Sequence, residues 1–242
     1  MQFLDFLLQA DMYITLFTVL YTIVNLFMKL FCFMKNFIRR KSLKKLLQNT
    51  NVAVHIPTRK VDDRLKPVVA MEDYNTYEKI RSVLCTNGFN VILKYIPANG
   101  EVEFESSRAN VVICGPKNSI TVKNVFSNFR NLKFAKDENG WFFKDNRVNK
   151  KLYSDQNDRA HQYAFLGKVN YDNNEFILIC GIHAIGSDGV AHFLSNRKEL
   201  DCLLRKVKQS KFWCIICSSY GDHDKQIYNS CLTKYFYVED HR

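Results

Sequence analysis

Two stretches of the chain share one design: NVVICGPKNSITVKNVF, from Asn110, and FILICGIHAIGSDGVAHFL, from Phe176. Each is an apolar run ending in Ile-Cys-Gly, followed by a loop of small residues and the start of a helix. In open α/β sheets, ligands collect outside the carboxyl ends of strands, where helix N-termini present unpaired N–H groups to anions. Two such loops can meet over one crevice. Gly115 and Gly181 allow close backbone approach, and Lys117 supplies a cation. Asn118, Ser119 and His183 bring side-chain donors and acceptors, while Gly186 and Ser187 offer a second set. The same residues also serve as plain strand ends and helix caps, and sequence alone leaves both uses open. Neither loop is a G-x-G-x-x-G or a G-x-x-x-x-G-K-[ST], so no standard dinucleotide or P-loop assignment follows.

For catalysis the candidates are His183 and the acidic pair Glu72 and Asp73, which opens a helix. A site that cleaves or transfers a nucleoside needs a carboxylate near the sugar, and either acid is suited to that. Complementing the helix dipole explains the same two acids without chemistry. His183, Asp188 and His192 are close in sequence, but Ser187 lacks a nucleophile-elbow context, so no triad is assembled. With no complete constellation, the reading leans away from an enzyme. Cys214 and Cys217 form a C-x-x-C inside FWCIICSS, without a second pair at zinc spacing. Neither a metal nor a cofactor is therefore expected. Cys114, Cys180, Cys214 and Cys217 read as core thiols of a reduced compartment, and His223 and His241, in polar terminal segments, read as solvated.

The elements that position these residues follow from periodicity. Residues 51–56 (NVAVHI) alternate and are rich in β-formers, giving a first strand. Residues 71–87 place apolar side chains at spacings of three and four and stop at Gly88, giving a helix with a glycine cap. Strands are predicted at 90–96 and 110–114, a helix at 120–129, and a polar, irregular stretch with short strands around Asn139-Gly140 at 131–159. A hairpin is predicted from 163–171 and 176–180 across Asp172-Asn173-Asn174, then a helix at 199–209 and strands at 212–218 and 230–238. The order predicts an α/β domain over 51–242 with a mixed, mainly parallel sheet.

A further segment shapes the whole chain. Residues 12–34 (MYITLFTVLYTIVNLFMKLFCFM) are apolar enough to cross a bilayer, and at about 1.5 Å per residue they reach across a hydrocarbon core of about 30 Å. Within it, Asp11, Thr15, Thr18, Thr22, Asn25 and Lys29 recur at spacings of 4, 3, 4, 3 and 4, which lines one helix face with polar groups. Polar groups facing lipid are costly, so this seam predicts self-association into a homo-oligomer, and with four or more helices a narrow pore. The bland alternative is that the threonines bond back to their own helix and Lys29 snorkels. A basic stalk spans 35–50. Its Lys35, Arg39, Arg40, Lys41, Lys44 and Lys45, against only Asp5 and Asp11 ahead of the span, place the N-terminus outside and the domain in the cytoplasm. The net charge of +11 points to anionic partners, membrane lipids at the stalk and an anionic ligand at the domain.

The final third, QYAFLGKVNYDNNEFILICGIHAIGSDGVAHFLSNRKEL with FWCIICSSYGD, resembles a widespread bacterial Rossmann-like sensor domain. Members show a DYA-type strand, an apolar strand, an A-G-x-x-x-x-G-T-x-A-A-x-F-L-like turn and helix, and a closing strand. NVVICGPKNS is similar to the family's apolar strand ending in G-x-x-x-N. The likeness covers residues 51 to 222, with Gln162 where the acid usually stands and Ser187 in place of Thr. It implies a Rossmann-like fold and a sensing role. Joined to a single membrane helix, the layout resembles inner-membrane effectors of nucleotide-signalling antiphage systems. The analogy implies a nucleotide or short oligonucleotide ligand, the enzyme that makes it as a partner, and a pore-forming output. The alternatives are a membrane-tethered nucleoside- or nucleotide-processing enzyme and a membrane scaffold for a partner protein.

Overall fold

The computed structural model describes residues 2–60, 66–154, 161–208, 210–221 and 226–238, with side chains from Tyr13 onward except Ile14. The predicted positions His223 and His241 lie outside what is described, as do the side chains of Asp5 and Asp11. The chain divides into two compact units, Met1–Lys41 and Ser42–Arg242. The first is formed by most of one helix, α1 (Gln2–Leu47), which runs unbroken through the predicted span and into the predicted stalk as far as Leu47. From Thr15 to Leu47 it is long and apolar enough to cross a membrane, and the apolar window is not buried by other parts of the chain. It stops where Gln48 turns left-handed at φ 62°, its N–H donating to the Lys44 carbonyl.

The second unit is built on a seven-stranded sheet. β1 (Asn51–Pro57), α2 (Met71–Thr86) and β2 (Asn90–Ile96) form a βαβ unit with β1 and β2 parallel. Gly88, at φ 78°, ends α2 in a Schellman arrangement, in which Phe89 N–H reaches the Leu84 carbonyl and Gly88 N–H that of Cys85. β3 (Ala109–Ile113) pairs with the other side of β1, so the strand order reverses between β1 and β3. After α3 (Ile120–Asn128) come the short strands β4 (Leu132–Asp137), β5 (Gly140–Asp145) and β6 (Lys150–Tyr153). Then β7 (His161–Tyr171) and β8 (Asn174–Gly181) form the expected hairpin, joined by Asp172 and Asn173 at φ 47° and 60°, the two left-handed residues of a type I′ turn. α4 (Ala184–Ser195), α5 (Arg197–Val207), β9 (Phe212–Tyr220) and β10 (Ile227–Val238) complete the order β10-β9-β7-β8-β3-β1-β2.

The fold is mixed α/β, as expected, but the sheet is not mainly parallel in its pairings. β1·β2, β1·β3 and β3·β8 are parallel, while β7·β8, β7·β9 and β9·β10 are antiparallel. The cause is the β7–β8 hairpin, whose two-residue turn admits only an antiparallel neighbour. Each sheet face carries its own core. One gathers Leu43 and Leu46 of α1 with α2, α4 and α5, and the other gathers α3 with β4–β6.

Three local readings change. β1 was expected to alternate, yet Val52 to Pro57 are all buried, because Val52, Val54 and Ile56 join the core with α2 while His55 on the other face meets Phe104 of the loop before β3. His55 is thus internal, with Nε2 2.9 Å from Asn110 Oδ1, and burial draws its pKa below the ordinary histidine value. The stretch 131–159, polar in composition, supplies a three-stranded antiparallel sheet whose inner face is aromatic. The rings of Phe134, Phe143, Phe129 and Phe165 lie 5.2 to 6.0 Å from that of Phe126. The small-residue loop after Gly181 is short, and helix begins at Ala184. Gly189 lets that helix lie directly on Ser218 of β9, where any Cβ would collide with the serine side chain.

Candidate functional site

β1, β3 and β8 run in parallel, so Pro57, Ile113 and Gly181 end at one edge of the sheet, beside the point where strand order reverses. The loops that follow enclose a crevice of about 470 Å³. Gly115, Lys117 and Asn118 line it from the β3 side, and Gly181, His183 and Ser187 from the β8 side, so six of the eight sequence-predicted ligand residues converge. Gly186 sits in the first turn of α4 against the Tyr163 carbonyl, and Ser119 lines an adjacent groove instead. The catalytic candidates Glu72 and Asp73 border the same crevice from the first turn of α2. Arg59 and Tyr220, which the sequence reading missed, complete it. Both follow or close a strand at this edge, so the rule that singled out Lys117 would also have found them.

The side chains divide into those occupied in building the fold and those that face the cavity. Ser119 donates to the Gly100 carbonyl at 2.6 Å and accepts from Val122 N–H at 3.3 Å, which makes it the cap of α3. The Ser187 hydroxyl accepts from Gly181 N–H at 2.9 Å and ties the strand end to the helix. Any Cβ at Gly181 would meet the His183 carbonyl and Ser187 nitrogen, so only glycine fits there, whereas Gly115 has room for a larger residue. Asn118 is exposed, its N–H closing a turn on the Gly115 carbonyl at 3.1 Å.

Lys117 bridges the two loops. Its ammonium donates to the Ile182 carbonyl at 2.8 Å and lies 4.7 Å from the centre of the Trp141 ring, which β5 presents to it. Burial lowers its pKa from the ordinary lysine value. Burial also lowers that of His183, with Lys117 adding to the effect, so the imidazole is neutral at pH 7. Asp73 goes the other way. It is 4% exposed, and burial pushes its carboxyl up to about 6 even though the Arg59 guanidinium stands 3.2 Å away and opposes the shift. A carboxyl that titrates near neutrality in a cleft is suited to accepting or donating a proton.

The His183, Asp188 and His192 grouping disperses. Asp188 takes two bonds from Lys79 Nζ of α2, at 2.7 and 2.8 Å, and His192 Nδ1 lies 2.7 Å from Ser230 Oγ on β10. Only His183 of the three lines the crevice. Gln162 is buried, its amide nitrogen 3.5 Å from the Tyr220 hydroxyl, and it does not itself line the crevice. Cys114, Cys180 and Cys214 are buried thiols whose pKa burial raises, while Cys217 is half-buried and faces Cys231 across β9 and β10. Among the described residues no group of three or more His, Cys, Asp or Glu is arranged to hold a metal ion. No known family, curated protein or solved structure matches this chain.

Proposed function

We propose that the chain is a membrane-anchored sensor whose cytoplasmic, Rossmann-like domain binds an anionic ligand, a nucleotide or short oligonucleotide, in the crevice at the carboxyl ends of β1, β3 and β8. The observation that carries this reading is the convergence of Arg59, Lys117 and the two glycine-ended loops at the reversal of strand order, the place where open α/β sheets take ligands. In this reading the output is α1. It crosses the inner membrane with its N-terminus outside, as the cations after the span favour. It self-associates along Thr15, Thr18, Thr22, Asn25 and Lys29 and opens as a pore in antiphage defence. Thr22 already donates to the Thr18 carbonyl at 2.8 Å, so Asn25 and Lys29 are left as the seam's strongest drivers of association. Ligand shifts the bundle only as far as it binds the open and closed assemblies differently.

The test is a calorimetric titration of the full chain in nanodiscs with AMP, ADP and a cyclic dinucleotide, repeated with Lys117→Ala. Binding of at least one probe, weakened tenfold or more by the substitution, is the expected result. Undiminished binding in the variant, or none by any probe in the wild type, counts against the site. A second reading, a membrane-tethered enzyme that cleaves or transfers nucleosides, is favoured by one observation, the near-neutral Asp73 carboxyl beside Glu72 in the same crevice. Release of free base from nucleosides or nucleotides by the wild type, abolished in Asp73→Asn or Glu72→Gln with binding retained, would decide for that reading.

A further inference from the structure

The crevice has a neighbour. A groove of about 540 Å³ runs along its other flank, and Arg59, Lys117 and Asn118 line both spaces, forming the wall between them. The two spaces differ in charge. The crevice holds the carboxyls of Glu72 and Asp73, whereas the groove is lined by Lys60, Lys123, Arg59 and Lys117 and, among the described residues, by no carboxylate. Arg59 leans toward Asp73 and Lys117 toward the Ile182 carbonyl, so Lys60 and Lys123 are the cations that serve the groove alone.

We infer that the ligand is a phosphate ester of a neutral, hydroxyl-bearing body. It lies across the Arg59–Lys117 wall with its phosphate in the groove and its uncharged end in the crevice. The inference rests on the nucleotide reading above and gives the ligand an orientation. A phosphate in the crevice would sit beside the Glu72 and Asp73 carboxyls and be repelled, but in the groove it meets Lys60 and Lys123 as well as the Arg59–Lys117 wall. Sugar hydroxyls and ring N–H groups are donors, and the crevice supplies their acceptors: two carboxylates and a neutral imidazole. The wall residues serve both ends, since a guanidinium and an ammonium placed between the spaces can reach the first phosphate oxygens from either side.

The experiment titrates the full chain in nanodiscs of neutral lipid with adenosine, AMP and inorganic pyrophosphate. It compares the wild type, Lys60→Glu/Lys123→Glu, Asp73→Asn, and a control of equal charge change, Arg197→Glu/Lys198→Glu on exposed positions of α5. In the wild type AMP binds at least tenfold more tightly than adenosine. The groove reversal removes that advantage and abolishes pyrophosphate binding while leaving adenosine unchanged, and the α5 control changes nothing. Asp73→Asn weakens adenosine severalfold and leaves pyrophosphate intact. AMP no tighter than adenosine, pyrophosphate binding that survives the groove reversal, or equal loss in the α5 control each overturns the orientation. Pyrophosphate binding that depends on Lys60 and Lys123, with no binding of adenosine or AMP, upholds the phosphate groove and defeats the nucleotide reading alone.

Discussion

Asp73→Asn separates stability from function at one residue, and the structure fixes the size of the effect. The carboxyl titrates at 3.8 in an exposed chain and at about 6 in the folded protein, so the native state holds this proton more tightly than the unfolded state does. Protonation therefore stabilises the fold. That contribution is complete below pH 3.8, declines as pH rises and is gone above about 6. At about 1.4 kcal/mol per pH unit, the interval between the two values is worth about 3 kcal/mol. Asparagine has the same shape and no proton to lose, so Asp73→Asn should match the wild type near pH 4 and exceed it near pH 7.5. The value of about 6 already contains the opposing pull of the Arg59 pair at 3.2 Å, so the expected gain near pH 7.5 stays at about 2–3 kcal/mol, equivalent to about 4–12 °C in Tm for a domain of this size. The assay is thermal unfolding of the full chain in nanodiscs, followed by near-UV circular dichroism from pH 4 to 8. A variant that is less stable at every pH, or a difference that does not grow as pH rises toward 6, would refute the burial argument.

Other substitutions test other parts of the account. Gly189→Ala should cost about 1–3 kcal/mol by forcing α4 off Ser218, and Ser218→Gly in the same chain should recover most of the loss in a double-mutant cycle measured by denaturant unfolding. Leu46→Ala empties part of the core that the end of α1 shares with α2 and α5, and should lower the stability of the domain by about 2–5 kcal/mol in the same assay. Thr22→Leu/Asn25→Leu should abolish ion conductance in planar bilayers while the circular dichroism spectrum of the domain is retained. Conductance equal to that of the wild type would exclude the polar seam as the pore lining.

The sequence was readable wherever local chemistry and tertiary packing asked for the same thing. Asn90–Ile96 is a strand in both, and Gly88 caps α2 as its position demands. The Asp172-Asn173 turn was marked by residues that tolerate a left-handed backbone. The crevice was legible because a strand end, a glycine and a helix start recur in the same order in two segments, the first of which adds Lys117. It became a crevice only through the parallel pairing of β3 with β8, which the sequence implied without fixing the register. Other features depended on neighbours remote in the chain. His55 looked like the polar member of an alternating strand until Asn110, 55 residues away, gave it a partner and both sheet faces were covered. Gly186 and Gly189 stand inside α4 although glycine in a helix normally costs stability, and here the cost is offset by close packing on β7 and β9. The aromatic side chains of 131–159 were visible, but their polar spacers hid the fact that three short strands turn them to one side.

The central claim, an anionic ligand held at the carboxyl ends of β1, β3 and β8, is tested most directly by amide hydrogen exchange of the full chain with and without saturating AMP. The account predicts slowed exchange in residues 115–123, 181–187 and 71–74, with the rest of the domain unchanged. Protection confined to the opposite edge of the sheet, around Arg130 and Lys211, or no protection at all, would contradict it.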